Sequence, residues 1–258
     1  MARKKSILAA AAVLAMAAGL VGCSGGNGGA DADDGAAGKT ATTELQGSSP
    51  QEIAEKTVDA MKAAESLRVK GRMTTDGKQL DVDMALTEGG KCTGSMAMDG
   101  GTAEVIGTGT ETYIKADEQF WRNQSQGEPG AETIVQMLKN RWMKAGAQDA
   151  GAGAGEFCDL DALLADMDAN DTGAATKGEV TEVNGQPAIP LTEKEDGGTT
   201  TVHVANDDDK PYILRMENKG GDEPGVMDFT DYDKPVEIEE PAPSEVVDLE
   251  KLRQSGAR

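Results

Sequence analysis

Periodic structure begins at Ser49-Pro50-Gln51-Glu52, where a polar stretch rich in Gly, Ala, Asp and Thr gives way to a regular apolar spacing. Ser with Glu three residues on forms a capping box, and Pro at the first helical position loses only an N–H that a helix start leaves unpaired. Ile53, Thr57, Met61 and Ala64 follow at spacings of four and three, which predicts a helix with one apolar face running to about Glu65. The period then drops from 3.6 to 2. Leu67, Val69, Gly71 and Met73 alternate with polar residues as far as Asp76-Gly77, a hairpin signal. Leu80, Val82, Met84 and Leu86 alternate up to Gly89-Gly90, and Cys92, Gly94, Met96 and Met98 up to Asp99-Gly100-Gly101. Residues 103–108 and 111–115 read as two more short strands, with Phe120-Trp121 closing the series. Connections this short join antiparallel neighbours, because parallel strands need long crossovers.

Two helices then interrupt. Ile134, Leu138 and Trp142 lie four apart and are joined by Val135; after a flexible Gly-rich stretch at 146–155, Leu160, Leu163, Leu164 and Met167 form an i, i+3, i+4, i+7 stripe. Alternation resumes at 179–183, turns at Asn184-Gly185, and continues through 187–193 and 199–205, with two further strands near 212–217 and 226–232. The order helix, strands, helices, strands predicts one α+β domain over residues 49–238. About ten antiparallel strands rarely stay flat, so the sheet should curve, with the helices packed on its concave side. Residues 239–258 hold Pro and acidic clusters and are expected to form a mobile tail, with a short helix near 244–252.

The N-terminal segment carries the clearest functional information. Arg3, Lys4 and Lys5 precede an apolar run at residues 7–20, too short for the roughly 20 residues of a membrane span. It ends in Leu20-Val21-Gly22-Cys23 and a Gly-rich follow-on. This resembles a bacterial lipobox, which implies a signal peptide at 1–22, diacylglyceryl attachment to Cys23, and cleavage before it, after which the new amine can be acylated. Two or more acyl chains anchor stably where one does not. Residues 23–48 contain a single large apolar residue, Leu45, and are expected to be a flexible tether reaching roughly 25–30 Å. The expected location is the extracytoplasmic face of the cell membrane.

Charge sharpens this. The chain has 46 acidic and 25 basic residues, net −21, and loss of the signal removes three positive charges, leaving −24. A body so acidic is repelled by phosphate backbones and by anionic headgroups, which excludes nucleic acid as a partner and leaves membrane contact to the acyl chains.

Little in the sequence points to catalysis, to a metal or to a cofactor, and a non-enzymatic role is expected. The single histidine, His203, has no motif partner and reads as a strand histidine. The acidic run at 166–170 starts like a calcium loop, but Asp171 and Lys177 stand where Gly and Glu are needed. With Cys23 acylated, Cys92 and Cys158 remain; in an oxidising compartment they are either one disulfide or two free thiols. Met73, Met84, Met96 and Met98 share the inward phase of the first strands, either as an adaptable lining for an apolar ligand or as a Met-rich core in a chain short of aromatics.

The lipobox, the polar tether, the capped helix leading into Ser66-Leu67-Arg68-Val69-Lys70-Gly71, Tyr113-Ile114-Lys115, Phe120-Trp121 and Tyr232-Asp233-Lys234-Pro235-Val236 occur in an order that resembles actinobacterial envelope lipoproteins of the LolA/LppX-like superfamily. The resemblance implies a curved antiparallel half-barrel closed by helices around an apolar cavity, and carriage of a lipidic ligand. It identifies no ligand residues and no protein partner. The alternative is an envelope scaffold lipoprotein with a solid core and an acidic face that docks a basic partner.

Overall fold

The structure, a computed structural model, describes residues 43–125, 130–146, 158–165, 175–195, 197–248 and 251. The signal segment, Cys23, the tether up to residue 42, the acidic run at 166–170, Met167 and the end of the tail lie outside them.

Among the described residues thirteen strands form a single curved, unclosed sheet, antiparallel throughout except at one edge. Its first half is a meander: β1 (Ser66–Thr75), β2 (Lys78–Thr87), β3 (Lys91–Met98), β4 (Gly101–Thr108), β5 (Glu111–Ala116) and β6 (Trp142–Gly146). The second half comprises β7 (Thr176–Lys177), β8 (Thr181–Val183), β9 (Gln186–Glu195), β10 (Gly198–Ala205), β11 (Ile213–Gly220) and β12 (Gly225–Thr230). β12 pairs with β1 and so joins the halves, Val69 standing opposite Phe229 and Gly71 opposite Met227. The turns at Asp76-Gly77 and Asn184-Gly185 put both residues at positive φ, as two-residue hairpins require.

Register is written into both faces. On the outer face, basic β1 meets acidic neighbours: Lys70 is opposite Asp83 and Asp228, Arg72 opposite Asp81, with ion pairs Lys70–Asp83 at 3.0 Å and Arg72–Asp81 at 2.5 Å. A slip of one residue would set Lys70 and Arg72 opposite apolar residues and turn the apolar set outward. On the inner face, Leu67, Val69, Met84, Leu86, Cys92, Met96, Val105 and Ile114 are buried in one cluster with the helices. These are α2 (Pro50–Lys62) through Met61, α3 (Glu118–Gln124) through Phe120 and Trp121, α4 (Ala131–Leu138) through Val135 and Leu138, and α5 (Leu160–Ala165) through Leu160 and Leu164. The capping box at Ser49 and Glu52 is formed as the sequence requires.

Four expectations are corrected. Phe120-Trp121 is helical, not the last strand, because the Asp117 carboxylate accepts from the Phe120 N–H at 2.8 Å and caps α3. Trp142 belongs to β6 rather than to α4: Asn140 takes φ 57°, which ends the helix, and only Val135 and Leu138 turn inward while Ile134 is exposed. Residues 43–48, expected in the tether, are docked. They form the short helix α1 (Glu44–Gly47), with Leu45 fully buried, its N–H on Asp208 at 2.8 Å, and Lys177 Nζ donating to the Gln46 and Ser48 carbonyls. The expected mobile tail contains β13 (Val246–Asp248), which pairs in parallel with β6 and buries Val247.

The motif at residues 232–236 proves to be a clamp between the two halves. Tyr232 stacks on Tyr212 with ring centroids 4.1 Å apart and donates to the Ile213 carbonyl at 2.6 Å. Asp233 accepts from the Tyr212 hydroxyl, and the Ser66 hydroxyl donates to the Lys234 carbonyl. Tyr232→Phe leaves that carbonyl without its partner in a buried setting, so a loss of about 1–2 kcal/mol in urea unfolding is expected. An unchanged midpoint would remove the clamp from the account.

Candidate functional site

Among the described residues one hollow of about 520 Å³ lies beside Gln46, Lys177 and Glu179, and two others, on opposite faces of the sheet, differ in chemistry as well as in size. The larger, about 750 Å³, lies over the outer face, where Lys70, Arg72, Asp81, Asp83, Glu104 and Lys115 are among its walls. Its basic β1 residues are already paired with carboxylates, so it is an open trough of satisfied charge. The smaller, about 340 Å³, lies between the inner face of β2–β5 and α3. Its walls are Leu80, Met96, Met98, Ala103, Val105, Ile114 and Phe120, without a polar side chain among them; its rim is Thr75, Asp76, Lys78 and Gln124. Volume favours the first, but an apolar ligand is recognised by the second, so the smaller hollow is the candidate site.

Local sequence explains its walls. Alternation puts Leu80, Met98 and Gly101 in one cross-strand row and Met96, Ala103 and Ala116 in the next. Small residues in β4 leave room over the sheet, and Gly101 lets α3 sit close: a Cβ there would come within 2.5 Å of the Phe120 backbone. Asp117 holds that helix start in place. Burial works against its charge, but the N–H groups of Phe120 and Thr102 and the Thr102 hydroxyl outweigh it and keep its pKa below the usual carboxylate range. A hollow of about 150 Å³ holds benzene, so 340 Å³ has room for about a dozen carbon atoms.

Of the four inward methionines, Met96 and Met98 line this hollow. Met84 is buried in the solid core opposite Gly94, and Met73 is half-buried against Gly225. Phe120 and Gln124 were not foreseen; the signal that finds them is Asp117 as the cap of α3. Cys92 and Cys158 form a disulfide that ties β3 to the start of α5 and lies over Gly107. His203 sits on β10 with only 14% of its side chain exposed, 3.9 Å from a Glu217 oxygen; burial lowers its pKa and that carboxylate opposes the shift. Among the described residues no group of three or more His, Cys, Asp or Glu could hold a metal ion, and no helix is long and apolar enough to cross a membrane.

No protein-family model matches the chain, and no curated protein matches it in sequence. Among solved structures its fold is similar to that of LprF from Mycobacterium bovis, with a TM-score of 0.48 and 14% identity over 75% of this chain and 97% of LprF. It is also similar to lipoprotein LppX from Mycobacterium tuberculosis, with a TM-score of 0.42 and 15% identity over 74% of this chain and 98% of LppX. At these identities and scores, function is read from the cavity itself.

Proposed function

We propose that this chain is an extracytoplasmic envelope lipoprotein, anchored through acyl chains on Cys23, that binds the apolar part of a lipidic ligand without catalysing a reaction on it. The observation that carries this reading is the 340 Å³ hollow, lined by Leu80, Met96, Met98, Ala103, Val105, Ile114 and Phe120 with Thr75, Asp76, Lys78 and Gln124 at its rim. Solid cores pack to crystal-like density, so an apolar void of this size counts against a scaffold with a filled interior. Burying about a dozen methylenes at ~0.8 kcal/mol each gives a gross gain of about 10 kcal/mol. Association costs of at least ~4 kcal/mol leave an affinity in the micromolar range or weaker. That suits a carrier that must also release its ligand.

The test is native mass spectrometry of the full-length protein gently purified from membranes, with Nile red, an uncharged apolar dye, as an independent probe. Co-eluting lipid and saturable dye fluorescence near one site per chain are expected. Empty protein together with no dye binding would refute the reading.

A further inference from the structure

The rim of the apolar cavity carries chemistry that its walls lack, and it narrows the ligand class; this step rests on the lipid-binding reading above. Lys78 is the one cation among the lining residues, and its Nζ lies 2.7 Å from Asp99 in the neighbouring β3–β4 turn. The hydrogen bond to Asp99, and that carboxylate's charge, raise the Lys78 pKa, so the ammonium is charged and already paired. Asp76 stands beside it on the rim. Two carboxylates to one ammonium make this side of the mouth net negative. An anionic head group would compete with Asp99 for Lys78 and face Asp76, with no unpaired cation among the lining residues to offset that repulsion.

The other rim groups are neutral and open. Neither the Thr75 hydroxyl nor the Gln124 side-chain amide hydrogen-bonds to another described residue, and both border the cavity. Thr75 closes β1 and Gln124 closes α3, so they approach the mouth from the sheet and from the helix. Between them they offer donors and acceptors suited to hydroxyl or amide groups. The interior sets the other limit, since room for about a dozen carbons is one acyl tail and not two side by side.

We propose that the cavity takes a single-chain, uncharged amphiphile, with one tail of about a dozen carbons inside and a hydroxyl- or amide-bearing head group held by Thr75 and Gln124.

The test uses full-length protein carrying Cys23→Ser, so that its own acyl anchor cannot compete, and three probes with the same tail: 1-monododecanoylglycerol, dodecanoate and didodecanoylglycerol. Displacement of Nile red at pH 8, where dodecanoate is ionised, reports binding. Monododecanoylglycerol is expected to displace the dye at a concentration at least tenfold below either of the others. Asp99→Asn suits the left-handed backbone there (φ 52°) and frees Lys78, so it should strengthen dodecanoate binding several-fold and leave monododecanoylglycerol unchanged. Dodecanoate or didodecanoylglycerol binding the wild-type cavity as tightly as the monoacylglycerol would overturn the inference while leaving the lipid reading standing. So would an Asp99→Asn protein whose dodecanoate affinity does not move. Failure of all three probes and of the dye to bind would instead remove the lipid reading itself.

Discussion

Replacing both Cys92 and Cys158 by Ala is expected to cost the domain about 4 kcal/mol and to lower its Tm by about 8–16 °C. The bridge spans 66 residues of chain, and closing a loop of that length removes much of the unfolded state's freedom. It also fastens the element least able to hold itself. α5 has six residues, too few for a helix to persist alone, and reaches the core through Leu160 and Leu164 while Leu163 stays exposed. The sulfurs lie against β4, where a Cβ on Gly107 would come within 3.0 Å of both. Substituting both cysteines avoids leaving a lone thiol in the core. Thermal unfolding followed by circular dichroism checks the value, and reductant added to the wild type should reproduce the shift. A change below 2 °C would mean that the bridge constrains little beyond what packing already does.

What the sequence revealed, and what it hid, divides by the range of the forces involved. The α2 start is settled by Ser49, Pro50 and Glu52 among themselves, and hairpins such as Asp76-Gly77 are settled by two residues that accept positive φ. Alternation sufficed to put Met96 and Met98 on the inner face. Residues 43–48 could not be read this way, because Leu45 is held by Asp208, which lies 163 positions away. The three residues of β13 likewise carry no period of their own and become a strand only beside β6. Trp142 misled because a spacing of four from Leu138 suits a helix, whereas Asn140 in a left-handed conformation ends it. Phe120-Trp121 is too short a run to show its period, and the cap at Asp117 was the deciding feature. That single misplaced element also hid Phe120 and Gln124, and with them one wall and part of the rim of the cavity.

The methionines supply the second large effect, because the two roles that the sequence left open fall on different residues. Met98→Trp is expected to weaken ligand binding severely and leave folding nearly untouched: Met98 is only partly buried and borders the hollow, so an indole can enter space that is already empty. Excluding four carbons of a tail at ~0.8 kcal/mol each costs about 3 kcal/mol, a loss of more than a hundredfold in affinity. Met84→Ala should do the reverse. Met84 is 2% exposed within the packed cluster and does not line the cavity, so its truncation opens a void and costs about 2–5 kcal/mol in stability. Dye binding measured below the unfolding transition should persist in that variant. Nile red titration and urea unfolding of the two proteins side by side separate the roles. Wild-type affinity in Met98→Trp would place the tail somewhere other than between β2–β5 and α3, whereas a large fall in its stability would show that the hollow has no room for an indole.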